Sequence, residues 1–255
     1  LGMNHQATFD LVVRELPKNR NFLVMGGTEE ILTELMNWSY TENEVKFLLE
    51  NKIITEKFAE YLKNFKFTGE VLGLPEGTVF FPGEPVIRIT APIIEGNLLT
   101  MFLMNTLTSN TIFTSKAIRG VIAAQDKMFI SGACMRAQSN ESAFKLGRAS
   151  YIVGGDGPDV IPSFCRKYNL KYTSLSVKMY HAVIKSFPSE IEAMRKTLDI
   201  FPNLLDFMVD TYDFEQGVKN IIKVSKEVEN NSIQGITIDS GDLYERSIKA
   251  REMLD

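Results

Sequence analysis

Two kinds of hydrophobic pattern follow one another in the first part of the chain. Residues 8 to 14 alternate between apolar and polar positions, which predicts a β-strand. Residues 28 to 65 carry apolar residues three and four positions apart, which predicts helical segments. Thr41 and Glu44 have the spacing of a capping box, and Thr28 stands where it can cap the first helix.

The pattern then changes to that of a small sheet. Residues 71 to 89 are short β-branched and aromatic runs separated by glycine and proline, which is typical of strands with tight turns. An apolar helix is predicted over residues 95 to 105, and from Phe129 strands and helices alternate. We therefore predict a mixed amino-terminal α/β domain at residues 1–105 and the first part of an α/β barrel at residues 106–255.

The segments MVDTYD at 208–213 and GITIDSGDL at 235–243 predict two strands that end in acids and hydroxyls. Between them, Asp213 can cap a helix, and Gln216 can complete the cap from the third position. The apolar stripe of this helix consists of Phe214, Val218, Ile221, Ile222 and Val224. The unit is strand, helix, strand.

Four acids mark the ends of these two strands: Asp210, Asp213, Asp239 and Asp242. Each one alone is as well explained as a cap or a turn former. Because the carboxyl ends of parallel strands meet at one edge, the four together favour a site for a sugar, a phosphate or a metal-linked ligand.

Composition is that of an ordinary enzyme core. The chain has 255 residues, 44% of them hydrophobic, with a net charge of −4, which argues against a nucleic-acid or membrane-surface binder. No apolar run reaches the length of a membrane span. Cys134 and Cys165 have no metal-binding spacing and favour a reduced, cytoplasmic setting. His5 and His181 are the only histidines, so a zinc site built from histidine and cysteine is not expected.

Five segments resemble one enzyme family in the same order along the chain. They are LPKNRNFLVMGG at 16–27, a long block at 67–107, TSKAIRGVIAA at 114–124, VDTYD at 209–213 and DSGDL at 239–243. They resemble the nicotinate phosphoribosyltransferase family, and the resemblance extends over nearly the whole chain.

The resemblance implies a fold and a reaction. The fold is an α+β amino-terminal domain followed by an irregular α/β barrel of the type II phosphoribosyltransferase kind, incomplete in this chain. The reaction belongs to NAD salvage and forms nicotinate mononucleotide and pyrophosphate from nicotinate and phosphoribosyl pyrophosphate, with hydrolysis of ATP. Mg²⁺ and ATP are the expected cofactor and co-substrate, and a homodimer is the expected assembly, with no nucleic-acid or membrane partner.

His181 is the first candidate for chemistry. It follows the predicted strand at 171–177, where a lone histidine is more often a structural hydrogen bonder than a catalyst. The resemblance changes this interpretation, because the family has a histidine at this place, followed by a phenylalanine like Phe187 and an acid like Glu190. That histidine is phosphorylated by ATP, and hydrolysis of the phosphohistidine drives the transfer forward.

The strand-end residues complete the expected site. Pyrophosphate leaves the anomeric carbon through a cationic state, so the protein must hold phosphates, place Mg²⁺ on them and align the pyridine nitrogen. We expect catalytic roles for His181 and Asp239. The expected substrate-binding residues are Arg136, Lys178, Asp210, Thr211, Ser240 and Asp242. Asp239 and Asp242 are also the candidate magnesium ligands.

Arg136, near the start of the predicted barrel, is the candidate residue for binding an anion. It lies in MFISGACMRAQSNESAF at 128–144, which we interpret as a strand, a turn and a helix. An arginine fork there suits a phosphate or carboxylate, and a surface arginine in a loop is an equal alternative. The family has a pair of arginines here, of which this chain keeps the second and has Met135 as the first.

Four more positions depart from the family's pattern: Ser131, Val177, Lys178 and Tyr180. Valine in place of glycine prevents close approach of a phosphate to the backbone, and Lys178 can supply a compensating cation. These departures leave two alternatives open. One is a relative that acts on nicotinamide or another base, and the other is a catalytically silent ligand-binding or dimer-partner homologue.

Two further patterns favour structure over chemistry. GGDGPD at 154–159 lacks the spacing of a phosphate loop and is interpreted as a turn, with Asp156 a weak site candidate. Met101, Phe102 and Met104 are interpreted as core residues.

The two ends predict a fragment of a longer protein. Leu1 is not an initiator, and KAREMLD at 249–255 is a helix without a stop signal. We expect a preceding helix with a substrate-stacking tyrosine and further barrel strands after Asp255. We also expect poor solubility for these 255 residues alone, and a full-length homodimer with His181 and Asp239 near its interface.

Overall fold

The chain divides into two compact units, residues 1–172 and 173–255. The computed structural model describes residues 4–156, 166–167, 179–201, 206–227, 233 and 235–255. The predicted boundary between residues 105 and 106 falls inside one continuous helix, Ile93–Ala124. Because a compact unit and a family domain need not share their bounds, the domain assignment stays a prediction.

The first unit contains two small antiparallel sheets. One has the strand order β1 (Gln6–Val12), β5 (Pro85–Pro92) and β3 (Glu70–Gly73), and the other pairs β2 (Leu23–Val24) with β4 (Val79–Phe80). The glycine- and proline-rich turns between these short strands agree with the predicted sheet.

Three helices lie between β2 and β3: α1 (Thr28–Asn37), α2 (Glu42–Glu50) and α3 (Glu56–Lys63). The capping box predicted for α2 is confirmed, because the Thr41 hydroxyl accepts from the Glu44 N–H and the Glu44 carboxylate accepts from the Thr41 N–H. The cap predicted at Thr28 is wrong. Gly27, with φ 99°, stands at the cap, and the Thr28 hydroxyl donates to the Leu74 carbonyl instead.

Helix α4 (Ile93–Ala124) has 32 residues and is far longer than the predicted 95–105. From residue 106 onward it buries mainly hydroxyls and an amide: Thr106, Asn110, Thr111, Thr114 and Ser115. Ser115 accepts from the Val24 N–H at 2.9 Å, and Thr114 donates to the Val24 carbonyl at 2.6 Å. The helix thus satisfies backbone groups that the two-stranded β2–β4 sheet leaves unpaired.

The core prediction for residues 101, 102 and 104 is partly wrong. Met101 is 85% exposed and Met104 is 59% exposed, so neither belongs to the core. Phe102 packs edge-on against Trp38, with ring centroids 4.9 Å apart. The larger buried cluster of this unit comprises Leu23, Met25, Ile31, Leu35, Phe80, Val86, Ile87, Ile89, Ala91, Leu99, Leu103 and Leu107.

After α4 come a 3₁₀ helix (Gly132–Arg136) and α5 (Asn140–Ile152). The strand predicted before Arg136 stays a prediction: among the described residues of this segment only Ser131 takes part in a β-bridge. The Phe129 N–H donates to the Asp156 carboxylate at 2.8 Å, and the Phe129 carbonyl accepts from the Asp156 N–H at 2.9 Å. Asp156 therefore has a structural role, and residues 157–159 of the predicted turn lie outside the described residues.

The second unit is built around a parallel pair of strands. Strands β6 (Asp206–Met208) and β7 (Gly235–Thr237) pair with Phe207 opposite Ile236, and a helix connects them, as the sequence predicted. The elements in chain order are α6 (His181–Lys185), α7 (Glu190–Ile200), β6 (Asp206–Met208), α8 (Phe214–Ser225), β7 (Gly235–Thr237) and α9 (Leu243–Leu254). The strand predicted at 171–177 lies outside the described residues.

Helix α8 packs its predicted stripe on β6. Phe214, Val218, Ile221 and Val224 are buried, and Ile222 packs partly buried against them. Asp213 caps the helix through the Gln216 N–H, as predicted. The Gln216 side chain does not complete the cap, because it donates to the Asn220 side chain at 2.9 Å instead.

Gly217 allows this close packing. A Cβ at this position would lie 1.9 Å from the Val209 carbonyl oxygen, which is rigid backbone at the end of β6. Only a residue without a side chain fits here, because the helix axis would otherwise have to move away from the strand.

Glu190, the first residue of α7, is buried in the same unit. Its Oε2 atom accepts from Asn220 at 2.7 Å. Burial raises the pKa of this carboxyl above its ordinary value of 4.5, the Asn220 hydrogen bond opposes the rise, and the nearby Asp210 and Asp213 add to it.

Among the described residues no helix, α4 included, combines the length and the apolar character needed to cross a membrane.

Gly217→Ala should lower the free energy of unfolding by about 1–3 kcal/mol, because the new methyl group overlaps backbone that has little room to relax. Chemical denaturation of the full-length protein measures this. Gly132→Ala is the matched control, since nothing lies within 4 Å of its Cβ position, and it should change stability by less than about 0.5 kcal/mol. Equal stability of the two variants would contradict the close approach.

Glu190→Gln should make stability less dependent on pH. A carboxyl whose pKa is raised in the folded state contributes most to stability below its ordinary pKa of 4.5. That contribution is lost as pH rises through the pKa of the folded state. Glutamine keeps an oxygen for Asn220 and carries no charge to bury. Denaturation at acid and at neutral pH should show that the free energy of unfolding of Glu190→Gln declines less with rising pH than that of wild type. The exposed Glu192→Gln on the same helix should behave like wild type.

Candidate active site

The carboxyl ends of β6 and β7 lie side by side, as parallel pairing requires. The Val209 N–H continues the pairing by donating to the Thr237 carbonyl at 3.2 Å. Directly afterwards the two strands present Asp210 and Thr211 on one side, and Asp239 and Ser240 on the other. The strand ends thus bring together residues that are almost thirty positions apart in sequence.

Asp210 joins the two strand ends. Its side chain is only 1% exposed. Its Oδ2 atom accepts from the Asp239 N–H at 2.8 Å and from the Ser240 hydroxyl at 2.6 Å. Burial raises the pKa of this carboxyl, but the two hydrogen bonds and the nearby His181 outweigh burial, so its pKa lies below the ordinary value. Asp210 is therefore a buried carboxylate held in its charged form.

His181 lies over this carboxylate at the start of α6. Its Nδ1 atom is 3.0 Å from the Thr211 hydroxyl oxygen. Its Nε2 atom is 3.7 Å from Asp239 Oδ2 and 4.0 Å from Asp210 Oδ1. The side chain is 35% exposed, so the ring is fixed by neighbours on both nitrogens and still open to a ligand.

The ring's surroundings favour one tautomer. Carboxylates only accept hydrogen bonds, so two of them beside Nε2 favour a proton on that nitrogen. Nδ1 then keeps its lone pair and accepts from the Thr211 hydroxyl. An imidazole oriented by carboxylates on one nitrogen, with a lone pair on the other, has the arrangement of a histidine nucleophile or base.

Asp210 Oδ1 has no hydrogen-bond partner among the described residues and is buried. A carboxylate oxygen in this state is expected to interact with a neighbouring cation or donor. The Nε2 edge of His181 faces it at 4.0 Å, which is beyond hydrogen-bond distance.

The two candidate metal ligands differ in availability. The Asp239 side chain is 67% exposed, and its oxygens can reach a ligand in solvent. Asp242 caps α9, with its Oδ1 atom accepting from the N–H groups of Tyr244 and Glu245. No group of three or more histidine, cysteine and acidic side chains in the described part of the chain is arranged to hold a metal by itself.

Neither of the other two expected binding residues is among the described residues of the second unit. Arg136 is exposed at the end of the 3₁₀ helix in the first unit, where no ion pair or hydrogen bond to it is found within the described residues. Lys178 lies outside the described residues. Met135 and Tyr180, two of the departures from the family pattern, are both exposed, at 62% and 42%.

One residue of the cluster was missed by sequence reasoning. Arg246, on the second turn of α9, donates from Nη1 to the Ser240 carbonyl and hydroxyl, at 2.9 and 2.8 Å. The signal was its spacing, since the fourth residue after the capping Asp242 lies one helical turn away on the same side.

Comparison with known proteins agrees with these observations. The sequence profile of the nicotinate phosphoribosyltransferase (NAPRTase) N-terminal domain matches residues 1–108. Nicotinate phosphoribosyltransferase pncB2 of Mycobacterium tuberculosis is 31% identical over 254 residues, which are 99% of this chain and 54% of that protein. Nicotinate phosphoribosyltransferase of Bacillus subtilis is 32% identical over 254 residues, 98% of this chain and 50% of that protein. The chain spans about half the length of these curated relatives.

Two solved structures show the same fold. Human nicotinic acid phosphoribosyltransferase superposes with a TM-score of 0.83 at 20% identity, over 98% of this chain and 60% of that one. Nicotinate-nucleotide pyrophosphorylase of Pyrococcus furiosus gives 0.73 at 21% identity, over 99% and 57%. These confirm the predicted α/β fold of the type II phosphoribosyltransferase kind, of which the chain covers part. By its sequence, the chain is similar to the nicotinate phosphoribosyltransferase family, through the N-terminal domain profile at residues 1–108 and through relatives aligned over nearly all of its length.

Proposed function

We propose that the full-length protein is a nicotinate phosphoribosyltransferase of NAD salvage. It joins nicotinate to the ribose of phosphoribosyl pyrophosphate, releases pyrophosphate, and couples this transfer to ATP hydrolysis through phosphorylated His181. The observation that carries the proposal is the placement of His181 between Thr211 on Nδ1 and two carboxylates beside Nε2.

The phosphorylation step follows from this placement. The Nδ1 lone pair attacks the γ-phosphorus of ATP, an N–P bond forms, and the bond to the bridging oxygen breaks with release of ADP. Asp210 and Asp239 stabilise the positive charge that develops on the ring while Nε2 keeps its proton. The Thr211 hydroxyl holds Nδ1 in position before attack and then turns to the incoming phosphoryl oxygens. Water later cleaves the N–P bond and returns the imidazole and inorganic phosphate.

The phosphoribosyl transfer needs positioning and charge stabilisation. The pyridine nitrogen of nicotinate bonds to the anomeric carbon as the carbon–oxygen bond to pyrophosphate breaks. The exposed Asp239 carboxylate would hold a magnesium ion together with waters and substrate phosphates. Asp242 would contribute only its Oδ2 atom, since Oδ1 caps α9. Bound Mg²⁺ supplies charge neutralisation on the leaving pyrophosphate.

The remaining binding roles are also proposals. Ser240, held by its hydrogen bond to Asp210, presents a hydroxyl beside the site, where ribose or phosphate oxygens can bind. We assign Arg136 to a phosphate of the donor or product, because an exposed guanidinium with no protein partner among the described residues can bind an anion without losing an ion pair. Lys178 is proposed to face the same ligand, favouring an anionic base or phosphate.

The oligomeric state and the cellular location are proposed by analogy with the family. We propose a cytoplasmic homodimer in which the partner covers the face near His181 and Asp239.

His181→Asn should abolish incorporation of acid-labile, base-stable phosphate from labelled ATP by the full-length protein, because asparagine has no ring nitrogen that can form the N–P bond. His5→Asn is the matched control and should label like wild type. Labelling of His181→Asn equal to wild type would remove the proposed role. A separate turnover assay, with nicotinamide in place of nicotinate, tests which base the protein uses.

Arg136→Ala should weaken binding of phosphoribosyl pyrophosphate by about 1.5–3 kcal/mol, the range for a hydrogen bond to a charged group. Isothermal calorimetry measures the dissociation constant. Lys46→Ala, which removes an exposed cation paired with Glu50, controls for the general effect of net charge. Unchanged donor affinity in Arg136→Ala would return this arginine to a surface role.

A further inference from the structure

Arg246 reaches from α9 back to the end of β7. Its Nη1 atom donates to the Ser240 carbonyl at 2.9 Å and to the Ser240 hydroxyl oxygen at 2.8 Å. The same atom lies 3.8 Å from Asp210 Oδ2. One guanidinium nitrogen thus contacts the strand-end loop of β7 and approaches the buried carboxylate at the end of β6.

The guanidinium lies close to two other groups. Its Cζ atom lies 5.1 Å from the centroid of the ring of Phe214, the first residue of α8. Gly241 is the second neighbour, because a Cβ there would lie 2.5 Å from Arg246 Nε. Gly241 has φ +70°, so the loop turns around the guanidinium in a conformation that glycine allows. The loop from 239 to 242 is therefore folded on the arginine side chain.

A chain of hydrogen bonds leads from Arg246 to the carboxylates beside the histidine. Ser240 accepts from Arg246 and donates to Asp210. Asp210 also accepts the Asp239 N–H, which fixes the backbone that carries the Asp239 side chain. That side chain lies 3.7 Å from His181 Nε2. A change at Arg246 reaches His181 through the position of Asp239, without direct contact.

We propose that Arg246 is a positioning residue, which holds the loop at 239–242 so that the Asp239 carboxylate faces His181 Nε2. The proposal rests on the function assigned to His181 above. It differs from direct binding of a substrate phosphate, because Nη1 is already used by Ser240 and the side chain is only 33% exposed.

The first experiment separates the rate of phosphorylation from the amount of competent enzyme. In single-turnover labelling of the full-length protein with ATP, Arg246→Met should lower the rate constant for His181 phosphorylation about ten- to a hundredfold, the effect of a misplaced catalytic group. The final phosphate per protein and the concentration of ATP at half-maximal rate should stay unchanged. Arg251→Met, which removes an exposed arginine of the same helix, should keep the wild-type rate constant.

Two outcomes overturn the proposal. A reduced amount of phosphate with an unchanged rate constant means that Arg246 only maintains the fold. A higher half-maximal ATP concentration with an unchanged rate constant means that Arg246 binds the substrate.

The second experiment needs no turnover. In ¹⁵N-histidine-labelled resting full-length protein, with His181 assigned by its loss in His181→Gln, Arg246→Met should shift the Nε2 resonance more than the Nδ1 resonance, which Thr211 holds. Gly241→Ala, which presses a methyl group on the guanidinium, should shift the same nitrogen. Unchanged Nε2 resonances in both variants overturn the proposal. If wild type takes no phosphate from ATP, the assigned function fails and this measurement still decides the role of Arg246.

Discussion

The buried carboxylate of Asp210 is the constraint around which the second unit is arranged. A charge in this position must be compensated, and the structure compensates it with the Asp239 N–H, the Ser240 hydroxyl and the nearby imidazole of His181. The first two partners come from the end of β7 and the third from the start of α6. Stabilising the charge therefore also brings the ends of β6 and β7 and the start of α6 to one place, and folding and site assembly depend on the same hydrogen bonds.

The close approach of α8 to β6 supports this arrangement. Gly217 lets the helix contact the Val209 carbonyl, one residue before Asp210, so the strand end has little freedom to move. Phe214 at the start of the same helix gives the Arg246 guanidinium its stacking surface. The apolar packing and the polar cluster thus share one helix, which holds charged groups in position at the edge of a core.

The first unit satisfies buried polar groups in a different way. There the later half of α4 offers hydroxyls to the backbone of β2, a strand too short to pair all of its own groups within its two-stranded sheet. The helix is consequently polar on a face that lies inside the unit. The same helix buries Leu99, Leu103 and Leu107 in the apolar core, and its exposed side carries Met101 and Met104.

Local patterns in the sequence determined the elements whose causes are local. The capping box of α2, the cap at Asp213, the apolar stripe of α8 and the acid-bearing strand ends each depend on residues within a few positions of one another. Only the tertiary structure decided the length of α4, the neighbours of His181 and the role of Arg246. These depend on hydrogen bonds between segments such as Thr114 with Val24 and Ser240 with Asp210, and a pairing over thirty or ninety positions leaves no periodic signal in the chain.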